Sequence, residues 1–224
     1  MTFKPTRMET AALAVVAVQL ALAAFTATNG ATDPVPMHFN AAGEVDRWGD
    51  RMEAAWLIAA IAGVNAVISG AMAYSLRASN PDPARRRGIT IGMAIGLVTT
   101  AVVAILPAAM ASPTFDPATG ATVTAAAVCL VLIATGAVLG KVPPNALVGV
   151  RTPWNLSSRM AWDRSNRLAG RLFFWSGLLA LPLIPFLPTT ISIGAISGGT
   201  LLIAAWSVFE SWRVWRADPD RRPV

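Results

Sequence analysis

Residues 172–209 run for 38 positions without a single charge. A helix needs ~20 residues at 1.5 Å rise to cross a ~30 Å hydrocarbon layer, so this stretch is too long for one crossing and suits two. Pro182, Pro185 and Pro188 crowd its middle. Proline lacks the backbone donor that a helix interior needs, which predicts two helices joined by a tight turn at the membrane interface. One longer, kinked segment is the alternative, and it would lower the number of spans to five.

Four more apolar runs precede it, at residues 10–27, 54–74, 89–111 and 121–140, and with 172–187 and 190–209 they make six spans. The charges collect in short patches between them. Of 224 residues 54% are hydrophobic and 13% charged, whereas soluble domains are roughly 45–50% apolar. The expected fold class is therefore an all-α membrane protein, a six-helix transmembrane bundle. Its segments are the first helix with an outer loop (1–53), helices two to four (54–140), a polar loop with an interfacial helix (141–171), and helices five and six with a basic tail (172–224). Lys4 and Arg7 before the first run resemble the start of a signal peptide, but Glu9 interrupts that flank and the apolar run outlasts a usual signal core.

Basic residues sort sharply across these spans. Sixteen of the eighteen lysines and arginines fall on one side, leaving Arg47 and Arg51 on the other, beside Asp33, Glu44, Asp46, Asp50, Glu53 and Asp116. The positive-inside rule then puts both termini in the cytoplasm. The pI of about 11.0 follows from this sorting, with the arginines beside anionic membrane lipids and no direct nucleic-acid partner implied.

The residue types for common chemistries are scarce. Cys129 is the one cysteine and lies within the fourth run, and His38 is the one histidine. No disulfide framework, thiolate or histidine-rich metal centre is expected, nor is a cofactor or catalysis. Within the spans the polar residues Asn65, Thr99, Thr100 and Thr135 are expected to hydrogen-bond between helices, and acidic or basic groups are absent until Glu210. Gly63, Gly70, Gly92 and Gly96 recur at helical spacing, which suits close helix packing. Spacing alone does not say whether the partner helix is in the same chain, so a homodimer stays open.

Two stretches exceed what a membrane topology requires. In the outer loop "PVPMHFNAAGEVDRWGDR", Pro34 and Pro36 hold the entry extended, Asn40 and Gly43 suit a tight turn, Trp48 suits the interface, and His38 and Asp46 can meet across the turn. It reads either as a compact, self-capped loop anchored by its aromatics or as a recognition surface. In "GVRTPWNLSSRMAWDRSNRLAGR", Pro143, Pro144 and Pro153 predict an irregular loop over 142–155. From Leu156 the pattern is helical. Ser158, Ala161, Trp162, Ser165, Leu168 and Ala169 share one face, and Arg159, Asp163, Arg164, Asn166 and Arg167 lie opposite, as in a surface helix running into the fifth span. Arg151 and Trp154 also suit an ordinary basic, aromatic membrane border.

The two stretches together resemble the SdpI family of bacterial multi-pass membrane proteins. "PMHFNAAGEVDRWGDR" resembles the domain of unknown function that follows the first span there, which maps Pro36, His38, Phe39, Asn40, Gly43 and Asp46. "GVRTPWNLSSRMAWDRSNRLAG" resembles the second signature, which maps Gly149, Arg151, Thr152, Pro153, Trp154, Trp162, Arg167 and Gly170. Asn166 stands where many members carry histidine. The resemblance implies an inner-membrane immunity and signal-transduction protein, with a secreted peptide toxin as outer partner and a cytoplasmic transcriptional repressor as inner partner. Reading the residues alone leaves a different class open, a small-molecule or lipid transporter or a membrane enzyme using His38 and Asp46 as an acid–base pair.

Overall fold

The computed structural model describes residues 5–40, 42–78, 81–144 and 148–222. Its elements are α1 (Arg7–Asn29), β1 (Val35–Phe39), β2 (Val45–Gly49), α2 (Arg51–Ala78), α3 (Pro83–Met110), α4 (Pro117–Leu139), α5 (Pro153–Ser157), α6 (Arg159–Ala180) and α7 (Thr189–Ala217), with a 3-10 helix over Leu181–Phe186 joining the last two. Six of these helices are long and apolar enough to cross a membrane. The prolines of the fifth run thus end one span and start the next. Pro182 and Pro185 lie in the 3-10 turn, Leu187 is extended, and α7 begins after Pro188.

Local chemistry sets the helix starts. Thr6 and Glu9 form a reciprocal capping box, in which the Thr6 N–H donates to the Glu9 carboxylate at 2.7 Å and the Glu9 N–H donates to the Thr6 hydroxyl at 3.3 Å. Asp116 caps α4, whose first residue is Pro117, a position where the missing N–H costs nothing.

α1 packs on α2 and α3, α4 packs on α6, α6 packs on α7, and α3 joins the two groups through α4. Small side chains dominate the contacts, as in the clusters of Ala23, Ile58 and Ala104 and of Ala125, Cys129 and Ile184. Large apolar side chains instead point outward, Phe25, Val67, Leu201 and Leu202 among them. A bundle solvated by lipid has no reason to hide such residues and gains by bringing its backbones close.

Of the residues expected to hydrogen-bond between helices, Asn65 does so, with a partner that the sequence reading passed over, whereas the Thr100 hydroxyl donates within its own helix, to the Gly96 and Leu97 carbonyls. Gln19 of α1 is buried and donates to the Thr100 carbonyl of α3 at 3.0 Å, while its own carbonyl accepts from Asn65 of α2 at 3.2 Å. The Ser69 hydroxyl donates to Asn65 at 3.2 Å, which extends the chain along α2.

The glycine expectation fails for the residues chosen. A Cβ on Gly63, Gly70 or Gly96 would meet nothing within 4 Å, and one on Gly92 would meet only side chains. Close packing lies between α4 and α6 instead. A Cβ on Gly170 would be 3.0 Å from the Gly136 carbonyl oxygen, and one on Gly177 would be 2.7 Å from the Cys129 carbonyl oxygen. Spacing shows that glycines share a face, but the partner of that face is set by the tertiary arrangement.

The connections gather at two ends. At one, Arg77 at the end of α2 holds Glu9 at the start of α1 (2.5 and 2.9 Å), Trp162 of α6 donates to Val142 after α4, and Ser157 accepts from Arg222 of the tail. This is the basic end. At the other, the β1–β2 hairpin lies over the starts of α2, α4 and α7, and the Ala31 N–H donates to the Ala111 carbonyl at 2.7 Å.

Candidate functional site

The first of the two stretches folds as an antiparallel hairpin, ordered further than the loop expected from sequence. Val35 is fully buried against Ala54 and Ala111, with Met37 beside it, so alternation along β1 turns His38 to solvent and Phe39 back toward the helices. Pro36 is buried and pairs with Trp48, which is half-exposed. Phe39 rests on α4 where Gly120 leaves room, since a Cβ at Gly120 would overlap the phenyl ring. Asn40 closes the turn. Its carbonyl oxygen accepts from the N–H groups of Ala42 and Glu44 at 2.9 and 3.0 Å, and its amide donates to the Glu44 carboxylate at 3.1 Å. Gly43 has φ +83°, and a Cβ there would fall 2.5 Å from the Thr189 methyl of α7. Glycine is thus required for both backbone and space.

Across the hairpin His38 Nδ1 lies 2.6 Å from Asp46 Oδ1, so the two residues that the sequence placed on either side of the turn do meet. Their side chains are 65% and 43% exposed. Arg47 pairs with Glu53 at the start of α2, fixing the strand to the bundle. Under the turn a cleft of about 220 Å³ opens between α4 and α7, lined by Phe39, Asn40, Thr124, Val128, Ile193 and Ile196. Ser192, next to Ile193, is buried with a hydroxyl that has no hydrogen-bond partner among the described residues. The hairpin end therefore offers an exposed His–Asp pair on the strands and, separately, an apolar slot under the turn.

At the basic end the second stretch builds a closed polar knot. Gly149 has φ +129°, and a Cβ there would meet the Trp162 ring at 2.9 Å. Trp162 is fully buried and donates from Nε1 to the Val142 carbonyl at 2.8 Å. Thr152 caps α5 through the Asn155 N–H (3.2 Å), and its hydroxyl meets that of Ser211 in α7 at 2.9 Å. Asn155 donates to the Val150 carbonyl and the Ser165 hydroxyl at 2.5 and 2.7 Å. Ser158 caps α6 and donates to the Asp218 carboxylate at 2.5 Å. That bond, the Asp220 N–H and nearby Arg221 hold the Asp218 carboxyl below its usual range, against burial that pushes it up.

These positions correct three expectations. The helix expected from Leu156 does run into the fifth span, as α6 unbroken from Arg159 to Ala180, but it begins three residues later than expected, after the short α5. Residues 153–155, expected to be irregular, are helical, since Pro153 suits a first helical position. Asn166, placed on the polar face, is buried, accepting from the Val150 N–H at 2.7 Å and donating to the Trp162 carbonyl at 3.0 Å. Residues 145–147 of the expected loop lie outside the described residues. Of the basic-end residues singled out, Thr152, Trp162 and Gly170 are buried, Gly149 and Trp154 are half-buried, and Arg151, Pro153 and Arg167 are exposed.

Gly120, Asn155, Ser211 and Asp218 help to carry the two sites and were not singled out from sequence. Their distant partners include Phe39 for Gly120, Thr152 for Ser211 (59 apart) and Ser158 for Asp218 (60 apart), and no local period records such pairs.

Two family descriptions match the chain, one over the hairpin and the other over most of the basic-end knot. The SdpI/YfhL protein family matches residues 141–211, and a domain of unknown function, DUF1648, matches residues 14–63. Neither a curated protein nor a solved structure gives a match. The chain is thus a multi-pass membrane protein that carries the SdpI/YfhL family segment at 141–211, with a DUF1648 segment ahead of it.

Proposed function

We propose that this chain is an immunity and signal-transduction protein of the bacterial inner membrane, which engages a secreted antimicrobial peptide at the hairpin and presents its basic end to a cytoplasmic repressor. Membership of the SdpI/YfhL family favours a membrane immunity protein. One structural relationship supports the two-sided reading. α4 is the common partner of both matched segments, with Phe39 of the hairpin on Gly120 near its start and Gly170 and Phe174 of α6 on Gly136 near its end. A ligand that moves the hairpin tip thus acts on the helix against which the basic-end segment is packed. The exposed His38–Asp46 pair and the apolar slot under the turn suit a peptide that carries a cationic or polar group and an apolar side chain. Arg151, Pro153 and half-buried Trp154 form the accessible edge at the basic end. The exposure of His38 and Asp46 encloses no water-free pocket, which tells against their use as a catalytic pair.

The test is survival. Deleting the chain should sensitise its cells to a membrane-active peptide, and His38→Ala or Asp46→Asn should lower protection while leaving membrane insertion intact. Arg151→Ala or Trp154→Ala should impair signalling more than Arg86→Ala, which changes a charge in another basic loop. Unchanged survival across a panel of such peptides contradicts the immunity role. Saturable movement of a solute by the purified chain in liposomes supports a transporter instead.

A further inference from the structure

On the α4–α6 side of the basic end lies an open cleft of about 600 Å³ that the immunity reading does not use. Its floor is backbone. Gly136 and Gly140 of α4 face Gly170 of α6, and a Cβ on Gly140 would sit 3.0 Å from the Arg167 Cα and 3.4 Å from its Cγ. The absent side chains let the two helices meet and leave a trough over their junction.

The trough is cationic at one end and apolar at the other. Lys141, Arg167 and Arg171 line the end beside the connections, and Ala137, Phe174 and Trp175 line the end toward the middle of the span. Phe174 and Trp175 pack edge to face at 5.5 Å, and Trp175 is 55% exposed. The three cations are exposed, and none forms an ion pair among the described residues. The neighbouring acids are engaged elsewhere. Glu210 holds Arg213 through two bonds of 2.8 and 2.9 Å, and Asp163 lies 4.0 Å from Arg159. Three cations outside any ion pair among the described residues, beside an aromatic wall and at the depth where a span meets its polar border, match a phosphate head group with acyl chains below it.

We infer that this trough is a binding site for an anionic phospholipid, its phosphate held by Lys141, Arg167 and Arg171 and an acyl chain laid along Phe174 and Trp175. Arginine serves such a site well because its planar fork meets two phosphate oxygens at once. The lipid bridges α4 and α6 at the basic end of the bundle, beside the close approach of Gly140 and Arg167.

The full chain in phosphatidylcholine nanodiscs doped with phosphatidylglycerol tests this, with retained lipid read by native mass spectrometry after extraction. Wild type should retain phosphatidylglycerol over phosphatidylcholine by about tenfold, in keeping with loss or gain of a few interfacial cation contacts. Joint Lys141→Gln, Arg167→Gln and Arg171→Gln should bring the preference to within about twofold, and Arg167→Lys with Arg171→Lys should keep most of it. The charge-matched control Arg85→Gln, Arg86→Gln and Arg87→Gln should keep it fully. An equal loss in both triple variants makes the attraction diffuse and overturns the site, as does retention that no variant changes. Displacement of the lipid by excess soluble glycerol phosphate overturns the assignment to a lipid, since a head group alone would then suffice.

Discussion

Ser158, in the turn between α5 and α6, donates a 2.5 Å hydrogen bond to the Asp218 carboxylate at the end of α7, 60 residues further on. This bond and the Arg222 N–H to the Ser157 carbonyl (2.9 Å) close the C-terminal tail over the basic-end knot. The Asp218 carboxyl is held below its usual range by Ser158, then by the Asp220 N–H. A lowered folded value means that the contribution is fully present above ~4, the unfolded carboxylate value, and is lost as pH falls through the folded one. Melting in detergent between pH 3 and pH 7, chosen to span ~4, should therefore show a smaller loss of stability on acidification in Asp218→Asn than in wild type. An identical pH dependence in the two would remove Asp218 from this role.

Trp162 and Gly149 act as one unit. Trp162→Ala empties a fully buried site and should cost about 3–5 kcal/mol of stability, as large aromatic truncations do. Gly149→Ala forces a Cβ into φ +129° and against the indole, which should cost about 1–3 kcal/mol. Because they share one contact, the double variant should lose less than the sum, which denaturant titration in detergent reads directly.

What could be read from the chain divides by range. The six spans were legible because each is a continuous run whose length matches a physical thickness, and the proline turn near Leu181 followed from proline's missing donor. The His38–Asp46 pairing was legible because Asn40 and Gly43 announce the turn between them. The burial of Asn166 was not, since it depends on Val150 coming back over α6 after a loop. The strand character of residues 35–39 was hidden by two prolines and only five residues of alternation.

Inside the membrane the Gln19–Asn65 hydrogen bond ties α1 to α2. Asn65→Ala should cost about 0.6–2 kcal/mol. After Gln19→Ala the same substitution should cost less, because its partner is already gone. A double-mutant cycle by thermal unfolding checks this, and additive losses would mean that the two amides do not depend on each other.

At the hairpin end Gly120→Val should displace Phe39 and tilt the hairpin off α4. Protection against the peptide should then fall about as far as in His38→Ala, while Gly96→Val, at a site where a Cβ meets nothing within 4 Å, should leave it unchanged. Equal effects of the two valines would show that any added bulk in the spans suffices.

Cysteine labelling on intact cells decides whether the two matched segments face opposite compartments. In a Cys129→Ser background, single substitutions Trp48→Cys and Arg151→Cys place a thiol at half-exposed and exposed positions at the two ends of the bundle. A membrane-impermeant maleimide should label position 48 on intact cells and position 151 only after permeabilisation. Labelling of 151 from outside, or of both from one side, would contradict a hairpin that senses outside and a basic end that signals within.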